Sequence, residues 1–293
     1  MAACIAWLLN LDAELELEAP ARHRASPALE ARIAALVPRM TMLLAPDDRV
    51  IGRDHDLADC TRALAFCPTP SALARIARAG LAPPAAPDVA LLARVNGRSF
   101  SASLGQTLPY ARYVRSMAEL DDALSVPSPS GTWVLKRELA FAGRERRRVY
   151  GRELDVPTQG FARRSFAAGQ GLQIEPWVAR TDDFARHGYV LRSGDVVLGP
   201  TLRQRCDARG AWLASEPLGA SELAPHEESA LAEATARAGQ ALVTAGYFGP
   251  FGVDAYRFRW PDGRVDFQPC SEINARFSMG YPRDLLEQVK GRD

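Results

Sequence analysis

Residues 251–280 constrain this chain more than any other stretch. Two runs that alternate apolar and polar residues, Phe251 to Trp260 and Val265 to Arg276, flank the turn sequence Pro261, Asp262, Gly263, Arg264. That pattern predicts an antiparallel hairpin. Side chains alternate along a strand, so Glu272, Asn274 and Arg276 share one face. With the pivot near Asp262, Asp254 falls opposite Cys270 and diagonal to Glu272, on that same face. Two carboxylates, an amide oxygen and a guanidinium would then meet on one patch. Carboxylates packed so closely repel unless a cation lies between them. Magnesium suits such a set, because it is hard, takes oxygen ligands and shares its shell with phosphates.

A second signal comes from the cations. Of 36 basic residues only Lys136 and Lys290 are lysines, and 34 are arginines. A lone internal lysine in an arginine-rich chain points to chemistry, since a compact ammonium and a planar guanidinium do different work. Lys136 ends an expected strand, Thr132 to Lys136. Behind it, residues 140–147 combine small residues, Gly143 and several arginines. Such a loop suits a flap over phosphates, because small residues let backbone N–H groups approach anionic oxygens.

The rest of the composition narrows the classes. The chain of 293 residues has a net charge of +1, which favours neither nucleic acid nor a membrane surface as partner. No apolar run reaches the roughly 20 residues of a membrane span. The first residues carry no basic leader and read as a strand. Five scattered cysteines without a C-x-x-C pair argue against a disulfide framework and a zinc site, and for a reducing cytoplasm.

Residues 1–94 read as an α/β unit: a strand from Ile5 to Leu11, a helix from Ser26–Pro27 to Val37, strands at Met40–Leu44 and Arg49–Ile51, a helix opening at Thr69–Pro70, and a closing strand at Val89–Ala93. No Gly-x-Gly-x-x-Gly follows the first strand, so no dinucleotide is assigned there. Further on we expect a helix at Met117–Leu124, a helix at Phe161–Ala168, a strand at Leu172–Val178, a hairpin of Phe184–Leu191 with Asp195–Leu202, and a helix at Pro225–Ala245.

From residue 95 to about 285 this layout resembles the ATP-grasp superfamily. The hairpin with Asp254, Glu272, Asn274 and Arg276 carries most of the likeness, with Lys136 next. The resemblance implies an α/β N-terminal domain, residues 1–94, followed by an α+β ATP-grasp fold whose two subdomains, 95–178 and 179–293, clamp ATP. It implies that Asp254, Glu272 and Asn274 hold Mg2+, and that Arg276 and Lys136 act on the transferred phosphoryl group. Arg98 stands where the family usually has a lysine before the phosphates. Glu175 and the main chain of Trp177 or Val178 would meet adenine; Pro176 has no N–H to offer. Asp183, with Asp182 as competitor, would take the ribose, and Arg203 and Arg205 would lie toward the substrate. The implied activity joins a small-molecule carboxylate to an amine, such as an amino acid or short peptide, through an acyl phosphate, with no nucleic acid or membrane partner. Two other readings keep the nucleotide: a small-molecule kinase, or a binding partner without turnover.

Overall fold

A computed structural model describes residues 4–24, 27–53, 56–105, 107–139, 146–207, 210–219 and 221–292. The apolar run Ile5–Leu8 (β1) is buried at every position, as the middle strand of a covered parallel sheet must be. It pairs in parallel with Arg49–Val50 (β2) on one side and Arg62–Ala65 (β3) on the other. Helices Ala13–Glu18 (α1), Pro27–Leu36 (α2) and Pro70–Arg78 (α3) surround this sheet.

Three expectations fail in this region. Met40–Leu44 is a turn, closed by Leu43 and Leu44 N–H groups donating to the Met40 carbonyl, with Met40 and Leu43 buried at a three-residue spacing. Val89–Val95 is a helix (α4), started by the Asp88 carboxylate accepting from Ala90 N at 2.8 Å; a short apolar run cannot by its period choose between strand and buried helix. Cys4 and Cys60 are joined in a disulfide, because the pairing of β1 with β3 brings the residues just before each strand together. Cys67, Cys206 and Cys270 remain thiols. Neither α1 nor β3 was legible beforehand.

Helix Arg98–Ser103 (α5) leads to a four-stranded antiparallel sheet. Its strands are Arg112–Val114 (β4), Thr132–Arg137 (β5), Arg146–Tyr150 (β6) and Leu172–Pro176 (β7), in the order β4-β7-β5-β6. Helices Met117–Ser125 (α6) and Val156–Ala167 (α7) cover one face; Ser116 caps the first and Asp155 the second. Trp133, Leu135, Leu172 and Ile174 bury against Leu120, Leu124 and Phe161. By alternation Val134, Lys136, Gln173 and Glu175 face the other way.

The largest sheet has five antiparallel strands: Ala179–Val190 (β8), Val196–Cys206 (β9), Trp212–Pro217 (β10), Gly249–Arg259 (β11) and Val265–Asn274 (β12), in the order β10-β9-β8-β11-β12. Helix Pro225–Thr244 (α8) lays Leu231, Ala234, Ala238 and Leu242 against Phe251 and Val253, so Asp254 points away from it. Helix Arg283–Val289 (α9) packs Leu285, Leu286 and Val289 into the cluster that holds Ile5 and Trp7. Trp7 meets Phe277 edge-on at 5.0 Å between ring centroids. Among the described residues no helix is long and apolar enough to cross a membrane.

One buried group makes the fold sensitive to acid. His187 is buried, its Nε2 lies 2.6 Å from Ser278 Oγ, and burial pushes its pKa down to about 3. The unfolded chain therefore binds a proton that the folded chain refuses between about pH 6.5 and 3, so stability falls as pH drops through that window. The slope from this group is at most about 1.4 kcal/mol per pH unit. Denaturant titrations at pH 7 and pH 5 should show this loss in the wild type and a smaller one in His187→Gln. Equal losses would remove His187 as the cause.

Candidate active site between the two antiparallel sheets

The hairpin forms with one change of register. From Arg259↔Val265 to Tyr256↔Gln268 the pairing is that expected from the turn. Between Tyr256 and Asp254 the register then shifts, and Asp254 faces Glu272 directly and not Cys270. The shift spans Ala255 on β11 and residues 269–271 on β12; Pro269 among them has no N–H for the ladder, and β12 is an edge strand, where a bulge is tolerated. The bulge thus turns a diagonal carboxylate pair into a directly opposed one.

Asp254 accepts from Gln204 Nε2 at 3.0 Å and from Asn274 Nδ2 at 2.9 Å. Glu272 meets the Arg98 guanidinium at 3.4 Å. Burial and the facing Glu272 carboxylate raise Asp254 to about pKa 6. Burial acts on Glu272 in the same sense, but Arg98, Lys136 and Arg276 outweigh it and leave Glu272 below its ordinary value. The pair is therefore only partly neutralised by the protein. Two carboxylates and the Asn274 carbonyl form a hard oxygen donor set, and a divalent cation such as magnesium fits it. Arg98 is buried, and its Nε has no hydrogen-bond partner among the described residues. Asn96, two residues earlier, fixes α5 to the end of the hairpin by accepting from Ala275 N at 2.8 Å.

Lys136 approaches from the other sheet. Its Nζ contacts Glu175 Oε1, while Gln173 Nε2 holds Glu175 Oε2 at 3.0 Å. Burial lowers Lys136 to about pKa 8; Glu175 opposes that shift, and Arg98 and Arg180 add to it. A cavity of about 340 Å³ joins the sheets and is lined by Arg98, Lys136, Arg180, Asp183, Gln204, Asp254, Glu272, Asn274 and Arg276. A neighbouring cavity of about 650 Å³ runs past Val134, Glu175, Trp177, Val178 and Asp183.

The structure thus brings Arg98, Lys136, Asp183, Asp254, Glu272, Asn274 and Arg276 to one cavity, and Glu175, Trp177 and Val178 to the adjoining one. Several details differ from expectation. The Trp177 N–H donates to the Thr132 carbonyl at 2.8 Å and so is not open to a ligand. Glu175 is held by Lys136 and Gln173. Asp182 is tied to Arg203 and Arg257 at 3.0 and 3.1 Å and Asp183 to Arg180 at 3.3 Å; both line the adjoining cavity, and Asp183 also lines the one beside Asp254. Arg203 is engaged by Asp182 and Glu222, and Arg205 by Glu216; both line the adjoining cavity, while Gln204 and Cys206 line the one beside Asp254. Arg276 is anchored by Glu14 of α1, with Nε donating to Oε1 at 2.7 Å, and its guanidinium lies 5.0 Å from the centre of the Phe66 ring. The expected flap lies outside the described residues over 140–145; Arg146 and Arg147 belong to β6.

Gln204, Arg180 and Glu14 escaped the sequence reading. Only the strand alternation that puts Gln204 between Arg203 and Arg205 could have suggested the first of them.

Two antiparallel sheets thus enclose a cavity with cations on one side and an acid pair on the other. No family model matches this chain, and no curated protein matches it. Solved structures do. D-alanyl-alanine synthetase A from Vibrio cholerae superposes with a TM-score of 0.51 at 13% identity, over 99% of this chain and 94% of that one. N5-carboxyaminoimidazole synthetase from Staphylococcus aureus, complexed with ADP, does so at 0.51 and 11% identity, over 99% and 77%. The biotin carboxylase domain of the Hydrogenobacter thermophilus 2-oxoglutarate carboxylase, complexed with MgADP and bicarbonate, gives 0.51 and 14%, over 76% and 56%. The chain has the ATP-grasp fold.

Proposed function

We propose that this chain is an ATP- and magnesium-dependent carboxylate–amine ligase that forms an amide or peptide bond through an acyl phosphate. The observation that carries the reading is the meeting, in one cavity, of Asp254, Glu272 and Asn274 with Lys136, Arg98 and Arg276. Nucleotide complexes of two neighbours of the same fold support it. We read residues 1–94, 95–178 and 179–293 as its three domains, one sheet in each.

In this reading a substrate carboxylate oxygen attacks the γ-phosphorus of ATP, the bond to the β-phosphate oxygen breaks, and ADP leaves. An amine nitrogen then attacks the acyl carbon, phosphate leaves, and the amine gives up a proton. Magnesium bound by Asp254, Glu272 and the Asn274 carbonyl would offset phosphate charge. Lys136 and Arg98 do the same from the opposite side, and preorganised charge is most of what phosphoryl transfer asks of a protein. Arg276, oriented by Glu14, is placed to hold the acyl phosphate oxygens. Val178 and Asp183 are the residues for adenine and ribose, with Glu175 steering Lys136.

Hydroxylamine tests this directly, because it intercepts an acyl phosphate as a hydroxamate. Hydroxamate together with free phosphate is the expected outcome with a carboxylate substrate. A stable phosphorylated product would mark a kinase, and nucleotide binding without turnover of any acceptor would mark a binding partner.

A further inference from the structure

The cavity that holds the acid pair does not end at Arg276. It continues to the N-terminal domain, where its walls are Leu29, Ile33 and Leu36 from α2, Phe66 beyond β3, and Trp212 and Met279. Helix α2 is unusual among the elements of this chain. Its ten residues include none that is buried, yet Leu29, Ile33 and Leu36 repeat at spacings of four and three and so form one stripe. In a water-soluble helix such a stripe would normally be packed into a core. Here its side chains are only half-buried: Ile33 and Leu36 rest on the edge of the cluster that holds Ile5 and Trp7, and all three residues form the wall of the cavity. Half-buried Trp212 and Met279 extend the apolar lining from β10 and from the segment after the hairpin.

The charged groups at this end are both cations: Arg32 on α2, and Arg276, which faces the acid pair. A ligand that fits carries one anionic head near Arg276 and an apolar body against α2. A dicarboxylate or a phosphorylated sugar would press polar groups on Leu29, Ile33 and Leu36, and the one charged side chain among them, Arg32, is exposed and so gains little from a second anion.

From this we infer that the carboxylate activated at this site belongs to an acid with a branched aliphatic or aromatic body, with α2 as its specificity wall. The inference rests on the ligase reading above, and the experiment separates the two. Wild-type protein is given MgATP, hydroxylamine and one acid at a time: leucine, phenylalanine or isocaproate against glycine, aspartate or glutamate. Each turnover converts the acid and hydroxylamine to a hydroxamate, with ATP giving ADP and phosphate. Hydroxamate formation should be faster, as kcat/KM, by about tenfold or more with the apolar acids, the range that one or more well-packed methylenes supply. Because no residue of α2 is fully buried, Ile33→Asp should fold, with a melting temperature lowered only slightly by the lost packing of Ile33 on the core and an unchanged Kd for MgATP by calorimetry. Its KM for leucine or isocaproate should rise about tenfold or more. Leu36→Gln should act in the same direction. Equal rates with glycine or aspartate, no hydroxamate from any apolar acid, or an unchanged KM in both variants would overturn the apolar-carboxylate inference while MgATP binding stands. Failure of the wild type to bind MgATP would overturn the ligase reading and this inference with it.

Discussion

Glu272→Gln is expected to abolish turnover and to remove the magnesium dependence of ATP binding. The carboxamide keeps the shape of the side chain but loses the charge that, with Asp254, makes the pair a cation site. Asp254 and Asn274 alone offer one charge where the wild type offers two. Arg98, 3.4 Å from Glu272, would then face a neutral amide and add uncompensated positive charge beside the site. Calorimetry of ATP with magnesium and with chelator checks the wild type, and ADP release checks the variant. Equal affinity in chelator, or normal turnover by Glu272→Gln, would sink the metal assignment. The same geometry sets a pH dependence. Asp254 stands near pKa 6 and must lose its proton to ligate, so magnesium affinity should fall as pH drops through about 6. In Glu272→Gln the facing charge that helps raise Asp254 is gone, and its titration should move lower.

Lys136→Arg is expected to slow turnover by about a hundredfold or more, while Lys290→Arg leaves it unchanged. Lys136 is buried at the end of β5, with Nζ held by Glu175 and with Arg98 and Arg180 close enough to depress its pKa. A guanidinium there is longer, planar and always charged, and it cannot occupy the point that an ammonium does. Losing one well-placed charge on a transferring group costs roughly 2.7–4 kcal/mol, by analogy with removed oxyanion donors, which is about a hundredfold or more in rate. Lys290 is half exposed near the end of the described chain, 3.8 Å from Glu287, and bears no relation to the cavity. Steady-state ADP release by the two variants is the measurement. Wild-type rates from both would make Lys136 a structural residue. The lysine also titrates where it can be seen. With its pKa near 8 in the free protein, ATP affinity should weaken as pH rises beyond about 8, because the ammonium gives up its proton; in Lys136→Arg that limb should be absent.

Much of this architecture can be read from residue order, because alternation, capping and turn chemistry act between near neighbours. The turn at Asp262–Gly263 and the alternating runs beside it determine the β11–β12 hairpin, and with it the fact that Asp254 and Glu272 share a face. The stripe Leu231, Ala234, Ala238, Leu242 determines α8, and the count of two lysines singles out Lys136. Where local signals conflict, the reading failed. Val89–Ala93 fits a buried strand as well as a helix, and the Asp88 cap decided it. Met40–Leu44 has the composition of a strand, but the Leu43 and Leu44 N–H groups close a turn on the Met40 carbonyl.

What only the tertiary structure decided is which of these well-formed pieces meet. The alternating runs fix the pairing near the turn, yet the two-residue shift that sets Asp254 squarely against Glu272 depends on the ladder on both sides of it. Asp182 is drawn from the cavity beside Asp254 by Arg203 and Arg257, which Glu222 and the α8 residue Glu227 hold in turn. Arg276 takes its place from Glu14, 262 residues earlier, and Lys136 reaches the acid pair from a different sheet. Such contacts arise from the stacking of one sheet on another and of α1 on the hairpin. Burial over the whole molecule drives that stacking, and no window of adjacent residues encodes it.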